Sequence, residues 1–211
     1  MRITVLPPAF FPAKRYFDLI KHVDRVVFCT EGRYAKRRLN RTRLRDGGWL
    51  TVPVCKPSRH LAPARLEDVK MWRLDARDGW HPRMMDRIAG LYRSEYLVTN
   101  GVYRSLVELP QHGNGLCDSL LRTLVDTLRY LNVSTWLSRS QELRLPADLS
   151  TQQRAIRTAQ GFGATEFVQP AWSRRLFDPV AFDRMGIRLT FFDSPDPGDV
   201  SILDHCFTWW K

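Results

Sequence analysis

Lysine is scarce in this sequence: of 33 basic residues, 27 are arginine and 6 are lysine. A coat of simple ammonium charges is therefore excluded. Arginine instead presents a planar fork that matches phosphate and carboxylate in pairs of hydrogen bonds. Cysteine is also sparse. Cys29, Cys55, Cys117 and Cys206 are the four present, none in C-x-x-C spacing and none with histidines at zinc-finger spacing. A disulfide framework and a structural zinc site are both disfavoured, and neither a metal nor a cofactor is expected. No run approaches the roughly 20 apolar residues of a membrane helix, so no membrane partner is expected. The opening Met-Arg-Ile-Thr-Val-Leu-Pro-Pro reads as a strand closed by prolines and not as a secretory leader, which implies a cytoplasmic chain. There is no G-x-G-x-x-G, no Walker loop, no H-E-x-x-H and no G-x-S-x-G. Repeats, low-complexity stretches and clear linkers are lacking as well.

What is present is a chain of 211 residues, 44% apolar and 26% charged. That is enough to build one substantial core, read as a single α/β domain over 1–211 with a helical sub-region at about 80–131. The net charge is +11, and its placement is uneven. Between Lys14 and Asp46 eleven basic residues face four acids, a surplus of seven. Codon bias toward arginine explains abundance but not this clustering. A local positive field draws anions in and raises their encounter rate.

The pattern of elements is as follows. Arg2–Leu6 reads as a buried strand. Pro12–Ile20 reads as a helix with proline in its first turn, and Phe17, Ile20 and Val23 on its inner face. Arg25–Cys29 is a β-branched strand. Strand, short helix, strand is the βαβ signature of a parallel sheet. Residues 31–46 read as a long basic loop beyond the second strand's C-terminal end, the edge at which open parallel sheets bind ligands. Gly47-Gly48 is a turn, Trp49–Val54 another strand, and Val69–Leu74 a weaker one. Met84, Ile88, Leu91 and Tyr92 share a helical face. Leu116–Leu131 is a strongly amphipathic helix. Thr135–Leu137, Glu166–Val168 and Arg188–Phe192 read as strands, Ser150–Gln160 and Val200–Trp210 as helices, and Ser194–Gly198 as a turn. The fold class is therefore α/β, with a mostly parallel central sheet begun by a βαβ unit and flanked by helices.

Three blocks carry a resemblance. The first is Pro8-Ala9-Phe10-Phe11-Pro12 with Tyr16-Phe17-Asp18-Leu19-Ile20, Asp24 and Val26–Phe28. The second is Tyr34-Ala35-Lys36-Arg37 with Asn40-Arg41-Thr42-Arg43, ending at Trp49–Val54. The third is Ser201-Ile202-Leu203-Asp204. In order and spacing they resemble the WbqC-like proteins, and Trp80-His81 matches a histidine after that family's middle strands. The resemblance implies a biosynthetic role in surface-polysaccharide or specialised-metabolite assembly, with group transfer onto sugars or amino compounds as the expected chemistry. The chain departs from the family where a His-Gln pair usually precedes the first proline, since Leu6 and Pro7 stand there. Thr30 and Glu31 stand where two adjacent aspartates are usual, and the basic block is one residue shorter.

Candidate site residues follow from chemistry and from the resemblance together. Lys36, Arg37, Arg41 and Arg43 are positioned to clamp a phosphate, carboxylate or carrier-arm pyrophosphate, against the bland reading of a solvated loop. Glu31 sits among these cations, which weaken it as a base and favour an orienting role or an ion pair. His81 is an acid–base candidate near neutral pH, placed at a helix start before Pro82. Cys29, at a strand end, is a candidate nucleophile if cations stabilise its thiolate. Asp204 belongs either to a capping-box-like S-x-x-D or to the site. Tyr16 is a candidate stacking residue for the substrate, although core packing is common for such rings. The leading reading is a transferase for an anionic or carrier-protein-linked substrate. A nucleic-acid-binding module, tRNA included, rests on net charge alone. A non-catalytic partner that retains the fold is the third reading. The oligomeric state is left open.

Overall fold

The computed structural model describes residues 1–211 except 33, 36, 56–65, 72–78, 93–99, 110–114, 147, 197 and 209–211. The chain forms two compact units that alternate along its length. One comprises Met1–Pro7, Arg15–Glu31 and Ser134–Pro197; the other comprises Pro8–Lys14, Gly32–Val133 and Gly198–Lys211.

The first unit is built on a five-stranded, all-parallel sheet in the order β5-β2-β1-β6-β7. Its strands are β1 (Arg2–Leu6), β2 (Arg25–Phe28), β5 (Trp136–Arg139), β6 (Glu166–Pro170) and β7 (Arg188–Phe192). Parallel strands need crossovers, and helices supply them. They are α1 (Lys14–His22), α5 (Thr151–Gly161) and the short α6 (Pro179–Asp183). Alternation along the strands decides which helix covers which face. Ile3, Val5, Phe167 and Leu189 pack with Ala155, Ile156 and Ala159 of α5 and Phe182 of α6. On the opposite face, the His22 ring of α1 lies 4.8 Å from that of Phe192. Phe167, Phe177 and Phe182 form an aromatic trio, with Phe167 and Phe182 stacked at 5.2 Å. Helix α5 starts on a closed capping box: the Ser150 hydroxyl accepts from Gln153 N at 3.2 Å, and the Gln153 side chain accepts from Ser150 N at 3.0 Å.

Strand order reverses beside β1. The chain fills one side with β2 and β5, then returns to the other with β6 and β7. The C-terminal ends of β1 and β6 therefore flank the switch point where sheets of this type bind ligands.

The second unit holds a two-stranded antiparallel hairpin, β3 (Arg41–Arg43) and β4 (Trp49–Thr51), with helices α2 (Trp80–Leu91), α3 (Gly101–Glu108), α4 (Leu116–Tyr130) and α7 (Ile202–Thr208). The expected helical sub-region at about 80–131 lies inside it. Its most constrained point is Phe11. This residue is 1% exposed yet has φ 39°, a left-handed conformation that costs a non-glycine residue on the order of 1 kcal/mol. Burial and two hydrogen bonds hold it: its carbonyl accepts from the Thr42 hydroxyl at 2.7 Å and the Ser201 hydroxyl at 3.0 Å. Phe10 N donates to Leu39 O at 2.8 Å, and Ile202 N to Pro12 O at 3.0 Å. The three blocks singled out in the sequence thus meet around one carbonyl.

The structure differs from the sequence reading at several places. Helix α1 begins at Lys14 and not at Pro12, because the Pro12 carbonyl and Ala13 are engaged by Ile202 and Ser201. Residues 41–43, read as loop, form β3. The strand read over Trp49–Val54 ends at Thr51 and pairs with β3, outside the parallel sheet; Val52 N is taken by Asn40 O. Of the strand read over Val69–Leu74, Lys70 and Met71 make isolated bridges and residues 72–74 lie outside the described residues. Helix α3 has an N-cap signal that was not read: the Asn100 side chain accepts from Val102 N at 2.9 Å. No described helix is long and apolar enough to cross a membrane.

Candidate functional site

The candidate residues fall into two groups, one in each unit. In the first unit, the chain after β2 places Cys29, Thr30 and Glu31 at the C-terminal edge of the parallel sheet. Cys29 N donates to Leu6 O at 2.9 Å, which ties this stretch to the end of β1. The thiol is half-buried and in no disulfide. Thr30 is 1% exposed; its N–H donates to the Ser140 hydroxyl at 3.3 Å, while its own hydroxyl oxygen is buried without a partner among the described residues. Glu31 is ion-paired. Its Oε2 lies 3.4 Å from Arg154 Nη1, and both side chains are about one-fifth exposed. Arg154 also donates to Pro146 O at 2.8 Å. Among the described residues the cation engaging Glu31 therefore comes from α5, 123 positions away.

Tyr16 serves the same edge as a strut. Its phenol donates to Pro7 O at 2.8 Å, fixing the chain where β1 ends. Burial pushes this phenol well above its ordinary range, so it acts as a neutral donor. Asp18 accepts from the Ser194 hydroxyl at 2.7 Å, which holds the segment leaving β7 against α1.

In the second unit, the hairpin sorts the basic block. Arg41 and Arg43 sit two apart on β3 and so share a face with Trp49 and Thr51, while Thr42 and Leu50 turn inward and are buried. Arg43 forms an ion pair with Asp199 at 2.8 Å. Arg45 lies 3.7 Å from Asp204, places its guanidinium 4.8 Å from the Tyr92 ring, and donates to Leu91 O. Arg87 meets Asp46 at 2.8 Å. A side chain at Gly48 would have to push aside the flexible Arg87 guanidinium. Arg41 is different. Its guanidinium stacks 3.8 Å above the Trp49 ring, its Nε is buried without a partner, and no described carboxylate pairs with it. Trp49 is 46% exposed beneath it. Arg37 lies on the surface in a left-handed turn at φ 63°, with its N–H donating to Asn40 Oδ1 at 3.1 Å. Lys36 lies outside the described residues.

Asp204 does not close a capping box. The Ser201 hydroxyl caps α7 by accepting from Leu203 N at 3.2 Å, but Ser201 N donates to Arg43 O at 2.7 Å. The Asp204 carboxylate instead receives the Tyr92 phenol at 3.4 Å and faces Arg45. Burial, followed by the nearby Asp204 charge, drives the Tyr92 phenol far up. His81 is the second residue of α2. Its Nε2 is 2.8 Å from Leu106 O, a carbonyl that only accepts, so Nε2 is the donor and Nδ1 is left outside this contact. Cys206, beside His205, is buried, and burial pushes its thiol up to about 12, which makes it an inert core thiol. No group of three or more potential metal ligands occurs among the described residues.

Sequence reading alone missed Arg154, Thr30 and the special standing of Arg41. The one local signal for the last was the Arg-x-Arg…Trp spacing across a Gly-Gly turn, which is that of a hairpin face.

The model of the WbqC-like protein family matches residues 7–207. The uncharacterized protein Rv1507c of Mycobacterium tuberculosis is 30% identical over 224 residues, covering 98% of this chain and 93% of that protein. No solved structure matches.

Proposed function

Because the chain belongs to the WbqC-like protein family, we propose that it is a biosynthetic group-transfer enzyme acting on an anionic or carrier-linked substrate in surface-polysaccharide or specialised-metabolite assembly. The observation that carries this reading is Arg41. A half-buried guanidinium without a carboxylate is costly unless an anion completes it. Arg43, Arg45 and Arg87 are already neutralised within the protein. Arg41 thus takes the phosphate or carboxylate of the substrate in its fork, and the exposed Trp49 ring fixes the plane of that fork. Arg37 adds an exposed cation to the same unit.

Transfer of an acyl-type group requires a base for the proton that leaves the attacking amine or hydroxyl. His81 Nδ1 is our choice, since its other nitrogen is committed to Leu106. Asp204 positions Arg45 and Tyr92.

The test is calorimetric titration with inorganic pyrophosphate, followed by product formation in the pathway. Wild type binds the anion; Arg41→Ala abolishes binding and product formation, while Arg83→Ala, an exposed cation elsewhere in the second unit, preserves both. Pyrophosphate ignored by wild type, or product formation unchanged in Arg41→Ala, ends this reading.

A further inference from the structure

Four of the exposed large hydrophobic side chains fall within a short stretch of the first unit: Trp172, Leu176, Val180 and Met185. Trp172 is 71% exposed. The first two stand on the short 3-10 helix Ala171–Leu176, which leaves the C-terminal end of β6 directly. This turn also exposes Arg174 and Arg175 and contains no acid. It is firmly seated. The Ser173 hydroxyl donates to Pro170 O at 2.8 Å, the Arg174 guanidinium lies 4.8 Å from the Phe191 ring, and Phe177 wedges against Phe167 and Phe182. The nearest acid in sequence, Asp178, is engaged in capping α6 through Val180 N at 3.0 Å. An exposed tryptophan followed closely by two exposed arginines has the composition of an interface hot spot, and the positive charge selects an acidic partner.

We propose that Trp172, Arg174, Arg175 and Leu176 form a docking surface for an acidic carrier protein. This rests on the group-transfer reading and names the donor's form. Position supports it. Strand β6 pairs with β1, and β1 with β2, so the turn lies along the same sheet edge as Thr30 and Glu31. Two strand spacings separate β6 from β2, roughly 10 Å. A carrier seated on Trp172 presents its loaded arm to that edge. A bilayer docked there would bring no group to transfer, and a second copy of this basic chain would set arginines against arginines.

The probe is holo-acyl carrier protein carrying a fluorescent label, titrated with the intact chain at ~50 mM salt, where charge attraction is strongest. Wild type gives saturable binding. Trp172→Ala and the pair Arg174→Glu, Arg175→Glu each weaken it about tenfold or more. The control pair Arg83→Glu, Arg104→Glu, exposed cations of the second unit, changes it less than about threefold if the site is local. Arg41→Ala leaves docking intact, so loss of pyrophosphate binding and loss of carrier docking are separable. The proposal is overturned by absence of saturable binding, by equal weakening in the control pair, by a sedimenting dimer that Trp172→Ala dissociates, or by binding that appears only on phosphatidylglycerol vesicles.

Discussion

The two units solve the same problem in opposite ways. The first satisfies its backbone through parallel strand pairing and fills its interior with Ile3, Phe167, Phe182 and alanines of α5. Beside its helices and a six-residue hairpin ladder, the second closes irregular backbone with side chains: Thr42 and Ser201 on the Phe11 carbonyl, Asn100 and Tyr130 on the Cys206 carbonyl, and Asn40 on the Val52 carbonyl. Charges follow the same division. Among the described residues, the first unit shelters one ion pair, Glu31–Arg154, beside the more exposed Arg2–Asp24 and Arg188–Glu166, while the second spreads its ion pairs over the surface and leaves Arg41 without a carboxylate. The contrast teaches that a sheet core sets stability, whereas a surface braced by side chains is free to hold unbalanced charge for a ligand.

Substitutions can break that contrast. The largest effect belongs to Phe167→Ala, which opens a cavity in the aromatic trio and costs about 3–5 kcal/mol, read as a fall in the denaturant midpoint. Next is Glu31→Gln. It strands a sheltered Arg154 and costs about 1–2 kcal/mol by the same readout, discounted because both side chains keep some solvent. Arg43→Ala removes an exposed pair and costs less than ~1 kcal/mol, while Arg41→Ala leaves stability unchanged or slightly raised, at the expense of anion binding. A destabilisation of Arg41→Ala as large as that of Glu31→Gln would erase the distinction between the units. The smallest effect is one of pH. Asp24 is held below the ordinary carboxylate range, chiefly by the Arg2 backbone N–H at 2.7 Å and then by the Arg2 guanidinium. A lowered native pKa means this increment is present above the unfolded value and fades as pH falls through the folded one. Asp24→Asn should therefore differ from wild type at pH 7 and converge with it in strong acid, measured by thermal melts.

Legibility in the sequence follows the same line. Strands β1 and β2 were visible because β-branched and aliphatic runs are written into adjacent positions, and α4 because Leu120, Leu121, Leu124 and Leu128 recur at helical spacing and are all buried. The capping box at Ser150 was equally local. The hairpin was not visible, since β3 is three residues of Arg-Thr-Arg whose strand character comes from Leu50 opposite Thr42. Glu31 reads in sequence as an orienting or ion-paired residue, but Arg154 is not legible as its partner, because a crossover helix far along the chain brings it in. Arg41 and Arg43 look alike in sequence; only Asp199, supplied by a distant segment, separates a neutralised arginine from an open one.

The alternation of the units along the chain bears on how the protein can be cut or rebuilt. The chain passes from one unit to the other five times, at 7/8, 14/15, 31/32, 133/134 and 197/198. No single excision releases either unit whole. A gene fragment spanning 32–133 would lack Phe10 for the Leu39 carbonyl and Ser201 for the Arg43 carbonyl. Any attempt to graft the arginine hairpin onto another scaffold must therefore carry 8–14 and 198–208 as separate inserts, or join them by new linkers into a permuted sequence.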